Sequence, residues 1–494
     1  MNRGTPHEVE LVEDDEPGSG VPTEADDTAV TPGGGPAGGW TRRRRLALGA
    51  GLVGVVVAAG VVAQGVVDAR ERAWVAAVAE VPGVLAPLDG PPQVLWSAED
   101  PLAITAATVG RFIGVVDDGS LRVRALDTRT GATAWETELV PAEDRADVPP
   151  GTPGYASSGS CWSYGDDPDA VICVADDGVR DSEGPMPDRA PTILRTVLLD
   201  PDDGTVLADL TEATRTPGPR SLALVGELVL LVSGEGTTAR VQALRYDGTV
   251  AWETSVPVSA APAGAQAWVL PVGDGAVLVT PDELHLLDAS GTTVRSLELD
   301  PDTLVTDVTT DAVVVQTSAP DTLTPTTTTV VRADGVVTYD GQWLHTVDDG
   351  SAPFDALTSH GGDVDAWSRD GARTWSAEDL RPRQTIVLDG RVHLATDAGL
   401  VTLDARTGAE LWRVSSLAGQ GLMTDGRVLL ATARPEVADG DGLLLVGLDR
   451  TDGSELWRSS EPVPVDDVSV ATDVLVGYRW RDDLGAGVSL DVLG

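Results

Sequence analysis

The feature that most restricts this chain is an internal repeat. A glycine recurs as Gly131, Gly204, Gly248, Gly291, Gly335, Gly371, Gly408 and Gly453. After a first gap of 73 residues the spacings are 44, 43, 44, 36, 37 and 45, as the positions themselves give. That is close to the period of a four-stranded propeller blade. Four residues after each glycine stand Trp135, Ala208, Trp252, Arg295, Tyr339, Trp375, Trp412 and Trp457, which accounts for five of the 13 tryptophans. Each unit reads as a strand that ends in a tight turn and restarts. Aspartate can bond its own backbone there, glycine supplies the positive φ, and the apolar residues that follow resume alternation. A large indole at a fixed step is suited to bridge one blade to the next.

The fullest units run Ala125-Leu126-Asp127-Thr128-Arg129-Thr130-Gly131 to Trp135, Leu403-Asp404-Ala405-Arg406-Thr407-Gly408 to Trp412, and Leu448-Asp449-Arg450-Thr451-Asp452-Gly453 to Trp457. They resemble the A-x-D-x-x-T-G-x-x-x-W repeats of the pyrroloquinoline-quinone-like (PQQ-like) β-propeller family, which includes quinoprotein dehydrogenases and the BamB outer-membrane assembly lipoproteins. The resemblance covers residues 93–494, with degenerate units around Gly204, Gly291 and Gly335. It implies an all-β PQQ-like propeller in which Trp135, Trp252, Trp375, Trp412 and Trp457 stack on the glycine-bearing peptides of neighbouring blades. Eight four-stranded blades are expected, with seven as the alternative and one turn near Gly335 or Gly371 not ending a blade. The last strands, Val468-Ser469-Val470 to Val488-Ser489-Leu490, lack an outer tryptophan strand of their own. Strand 94–98 can complete them and close the ring.

The first part of the chain has a different character. Residues 1–41 carry the acidic run Glu13-Asp14-Asp15-Glu16 and the turn-rich Gly33-Gly34-Gly35-Pro36, and read as a disordered cytoplasmic tail. Residues 42–67 combine Arg42-Arg43-Arg44-Arg45 with an uncharged stretch from Leu46 to Val67. As a helix that stretch spans about 33 Å, enough for a bilayer core. The arginine cluster before it predicts a single-pass membrane protein with its N-terminus cytoplasmic and everything after the span outside. A cleaved signal peptide is the alternative, although the apolar run exceeds an ordinary signal-peptide core. Residues 68–92 read as a linker.

Cysteine use agrees with export. Cys161 and Cys173 lie on two strand-like runs joined by an acidic loop, a spacing that suits a hairpin disulfide in an oxidising compartment. The surrounding insertion, residues 140–192, makes the first repeat gap long and is a candidate recognition loop.

Composition removes several chemistries. All 34 basic residues are arginine and Asn2 is the sole asparagine, so a Walker lysine, a Schiff-base lysine and an N-glycosylation sequon are excluded. A formal charge of −44 argues against nucleic acid as a partner. His7, His285, His345, His360 and His393 are scattered without a zinc pattern. The acidic turns Asp200-Pro201-Asp202-Asp203-Gly204 and Ala438-Asp439-Gly440-Asp441-Gly442 lack the calcium ligand ladder of an EF-hand.

No catalytic residues, metal site or cofactor are therefore expected. The sequence reads as a membrane-anchored extracytoplasmic propeller that binds an envelope protein or polymer without catalysis. The alternatives are a quinoprotein dehydrogenase and a transmembrane sensor. Against the dehydrogenase stand the missing adjacent cysteine pair and the lack of asparagine as a calcium ligand.

Overall fold

The computed structural model describes residues 69–494 apart from 71, 99–103, 118–119, 143–154, 164–168, 182–193, 216–219, 236, 259–266, 320–324, 345, 418–420, 434–441 and 482–486. The expected tail and membrane span, residues 1–41 and 42–67, lie outside the described residues, among which no helix is long and apolar enough to cross a membrane.

Among the described residues, 94–493 form nine sheets in succession, each of four antiparallel strands, with Thr346–Asp348 added parallel to the edge of the seventh. Taken in chain order they are blade 1 (104–140), blade 2 (155–209), blade 3 (220–257), blade 4 (268–298), blade 5 (303–340), blade 6 (342–377), blade 7 (382–414), blade 8 (422–458) and blade 9 (467–493). Blade 9 takes its fourth strand from Val94–Ala98, which pairs antiparallel with Gly487–Leu493 and joins the two ends of the ring. This closure is the one expected from the sequence.

The blade count is a correction: there are nine, not eight or seven. The turns at Gly335 and Gly371 each connect the third strand of a sheet to its fourth, so both end true blades. The spacings there are short for a local reason. Blade 6 follows blade 5 after the single residue Gly341, and its first strand is only Gln342–Trp343. The long gap before Gly204, in contrast, is one blade, because the second strand of blade 2 runs from Val171 to Asp181.

Middle strands read as continuous apolar runs because both faces are covered. Val428–Ala433 is buried along its whole length, whereas the outer strand Glu410–Val414 alternates between exposed and half-buried residues. The cores accordingly lie between sheets. One cluster joins Ile113, Val123 and Ala125 of blade 1 to Val171, Val197 and Leu199 of blade 2, and another joins Leu230 and Val241 of blade 3 to Val269 and Leu278 of blade 4.

The segment read as a linker is packed on the ring. Val78 and Val84 are buried with Leu388, Leu429 and Val446, and Leu85 and Leu88 with Leu430, Leu445 and Leu475. Its amides bond to two blades: Leu85 N donates to Thr424 O at 2.8 Å and Leu88 N to Asp425 Oδ2 at 2.9 Å, both in blade 8, and Ala86 N to Asp473 O at 2.7 Å in blade 9.

Candidate functional site

The repeat tryptophans form a chain of blade-to-blade contacts. The indole of one blade lies on the turn glycine of the next: Trp96 on Gly131, Trp135 on Gly204, Trp252 on Gly291, Trp375 on Gly408, and Trp412 on Gly453. A Cβ at Gly131 would stand 2.6 Å from Trp96, and one at Gly204 would stand 2.4 Å from Trp135. Glycine is therefore required twice over, by the indole and by φ values of 67° and 73°. Three indole N–H groups donate to the carbonyl three residues before the glycine: Trp96 to Thr128 at 3.0 Å, Trp135 to Pro201 at 2.9 Å and Trp375 to Ala405 at 2.8 Å.

Other members of the expected set depart from it. Gly248 has no atom within 4 Å of an added Cβ, since blade 2 presents Ala208 where an indole would stand, and Gly371 meets Val337. Trp457 lies on Gly447 of its own sheet, where a Cβ would come within 2.2 Å of the ring. At blade 4, Arg295 stands at the tryptophan position, and its Nη2 donates to Ala333 O at 2.9 Å, the turn carbonyl of blade 5.

The turns themselves come in two lengths. At Gly131, Gly204, Gly408 and Gly453 the glycine N–H reaches an aspartate carbonyl four residues back, and at Gly248, Gly291, Gly335 and Gly371 it reaches a carbonyl three residues back. In the longer turn Asp127 Oδ1 accepts from Thr130 Oγ1 at 2.8 Å, Thr130 N at 2.9 Å and Arg129 N at 3.1 Å. These bonds, that of the Thr130 hydroxyl first, hold the Asp127 carboxyl below its ordinary range, and Thr407 does the same for Asp404.

A cavity of about 350 Å³ opens where blades 5 and 6 meet. Its apolar floor includes Ala312, Val314, Val330 and Leu357, and its polar wall carries Asp307, Asp311, Asp348, Asp355 and Arg332 beside Trp343 and Phe354. Arg332 ends the third strand of blade 5 and is 8% exposed. Its Nη2 donates to Asp355 Oδ2 at 2.9 Å, and its Nε lies 3.4 Å from Asp311 Oδ2. Tyr339, at the tryptophan position of blade 5, donates its hydroxyl to the same Asp355 Oδ2 at 2.9 Å. Burial first, then the Asp355 carboxylate, pushes the Tyr339 phenol up to about 12, so it remains a donor. Burial works against the Arg332 charge, but Asp355 and Asp311 outweigh it and raise its pKa. Across the cavity Trp343 Nε1 donates to Asp307 Oδ2 at 3.1 Å. The result is a wall of oriented acceptors around one guanidinium, over an apolar floor.

None of these cavity residues was marked by the sequence. Tyr339 in place of tryptophan was visible, and Trp343 stands off the four-residue step from any repeat glycine, which was the available signal.

Other expected features fall as follows. Cys161 and Cys173 are directly opposite on the first two strands of blade 2, fully buried, and disulfide-bonded with Cα atoms 4.1 Å apart. Most of the insertion proposed as a recognition loop lies outside the described residues. His393 is fully buried with Nδ1 2.7 Å from Thr402 Oγ1, and burial presses its pKa down from an ordinary 6.5 to about 3. It is a neutral core group. The Asp200 turn uses its carboxylates on Asp202 N and Thr205 N, and residues 438–441 of the second acidic turn lie outside the described residues.

Residues 360–486 match a family model described as outer membrane protein assembly factor BamB. No curated protein matches. Among solved structures, BamB from Moraxella catarrhalis is similar with 15% identity and a TM-score of 0.35, over 82% of this chain and 100% of that one. A quinohemoprotein alcohol dehydrogenase from Comamonas testosteroni gives 14% and 0.38, over 86% and 84% respectively. A eukaryotic initiation factor gives 10% and 0.43, over 77% and 91%. With nine sheets in ring order among the described residues and tryptophan-on-glycine docking between blades, the chain folds as a β-propeller whose residues 360–486 match the BamB family model.

Proposed function

We propose that the protein is a membrane-anchored, extracytoplasmic propeller that binds an envelope protein or polymer and carries out no chemistry on it. The observation that carries this reading is the use made of the polar groups at the blade 5 and 6 junction. Asp355 is held by Arg332 and Tyr339, and Asp307 by Trp343, an arrangement that orients acceptors for a bound molecule. The arginine cluster and apolar stretch at residues 42–67 supply the anchor and its orientation.

The described residues lend less support to a quinone cofactor with its calcium. Calcium takes six to eight oxygen ligands, and among the described residues no three His, Cys, Asp or Glu side chains converge to hold a metal ion. The two cysteines face each other across a strand pair and are fully buried, and the repeat indoles are occupied with glycine turns.

The test is capture from envelope extract with the full-length chain as bait. A specific protein or polymer retained by wild type supports the scaffold. A chain that instead purifies with a quinone absorbance band and turns over an alcohol with dye acceptor sinks it.

A further inference from the structure

The cavity between blades 5 and 6 has a chemistry narrower than binding in general. We propose that it is a saccharide subsite, sized for a single neutral sugar residue. The inference rests on the scaffold reading only in taking the ring to face a polymer-bearing envelope.

Three observations select the ligand class. The first is charge. Arg332 already stands against Asp355 at 2.9 Å and Asp311 at 3.4 Å, so no cation is left over for an anionic ligand. The wall's four carboxylates outnumber that guanidinium, but two of them are already engaged, Asp355 by Arg332 and Tyr339 and Asp307 by Trp343. A neutral molecule uses these oriented acceptors without a charge of its own to desolvate.

The second is an incomplete hydrogen bond. Arg332 Nε is buried and makes no hydrogen bond, because Asp311 Oδ2 at 3.4 Å lies out of line with its N–H. The group that covers it, Asp311, has a side chain 60% exposed and so sits on the rim with room to move. A hydroxyl that enters as Asp311 swings aside accepts from Nε and donates to the carboxylate. Only a group that is both donor and acceptor completes the pair, and sugars present several such groups on one rigid ring.

The third is the shape of the wall. Trp343 and Phe354 border the same cavity as the carboxylates. Trp343 is fixed by its N–H bond to Asp307. An aromatic side wall, convergent polar groups and a volume of about 350 Å³ match a small-ligand site of ordinary size.

The test is saturation-transfer NMR and calorimetric titration of the full-length chain with methyl glycosides of glucose, galactose, mannose, arabinose and N-acetylglucosamine, with choline and acetate as charged controls. At least one glycoside is expected to bind saturably, and both controls to fail. Arg332→Met should weaken that binding about tenfold or more. If that variant misfolds, Asp311→Asn and Asp348→Asn, both at exposed rim positions, are expected to weaken it while leaving the thermal transition in place. Absence of saturation by every glycoside, stronger binding of choline or acetate, or affinity unchanged in the folded variants would overturn the proposal. Protein capture in the extract experiment would survive such a failure, which separates the loss of this subsite from the loss of the scaffold.

Discussion

Blades 7, 8, 1 and 2 differ from blades 3 to 6 in how each is joined to the blade before it. In the first arc the docked residues are Trp375, Trp412, Trp96 and Trp135, and each indole covers a glycine of the following blade. In the second arc Trp252 still covers Gly291, but Ala208 leaves Gly248 uncovered, Arg295 replaces an indole with a guanidinium, and Tyr339 turns away from Gly371 toward Asp355. The glycine turns follow the same division, with the longer form at Gly131, Gly204, Gly408 and Gly453 and the shorter form at the other four. The contrast separates two duties of one repeat. A tryptophan on a glycine closes a junction with apolar area and, at Trp96, Trp135 and Trp375, one hydrogen bond. A tyrosine or arginine at the same step holds the junction through polar contacts, and the cavity at Arg332 lies beside such a place.

The largest test of this contrast is to truncate one docking residue from each arc. Trp135→Ala removes a ring that is 8% exposed, together with its bond to Pro201 O, and should cost about 3–5 kcal/mol as a large core truncation. Arg295→Ala removes one hydrogen bond to a turn carbonyl and should cost about 1 kcal/mol. Denaturant melts of the two variants measure the difference. Equal losses would mean that the indoles do not carry the ring.

The two arcs were not equally legible in the sequence. Turn chemistry is local, so Asp127 to Gly131 and Asp449 to Gly453 announced their blades, and the closing strand at Trp96 could be placed by what blade 9 lacked. The blade count failed at Gly335 and Gly371 because blade length there is set by the two-residue strand Gln342–Trp343, which has no pattern of its own. The cavity was hidden for a related reason. Arg332, Asp311, Asp355 and Trp343 come from the third strand, a turn and the neighbouring blade's entry, and only pairing of the sheets brings them together. Cys161 and Cys173 were readable because one hairpin holds both.

A finer comparison substitutes the glycines. At Gly204 an added Cβ meets both Trp135 at 2.4 Å and a φ of 73°, whereas at Gly248 it meets open space and a φ of 78°. Both alanine variants share a left-handed backbone penalty of about 1 kcal/mol. Gly204→Ala adds overpacking against a fixed ring, about 1–3 kcal/mol more. Thermal melts should therefore rank Gly204→Ala well below Gly248→Ala. The reverse order would show that the indole shifts without cost and that the docking is loose.

The smallest effect expected is acid sensitivity, and it too differs between the arcs. His393 lies against Trp412 with ring centroids 6.0 Å apart, and its folded pKa is about 3 against an ordinary 6.5. The unfolded chain takes up a proton on this residue below about pH 6.5 while the folded chain does not, so stability is full above that value and falls as pH drops toward 3. From pH 7 to 5.5 the loss should be about 1 kcal/mol. His285 of blade 4 is also lowered by burial, but Glu283, 3.5 Å from its Nε2, opposes the shift. Its share of the acid loss should be smaller for that reason. Chemical melts at the two pH values, on wild type, His393→Gln and His285→Gln, resolve the two contributions. A pH dependence that persists undiminished in His393→Gln would place the acid-sensitive group outside the tryptophan-docked arc.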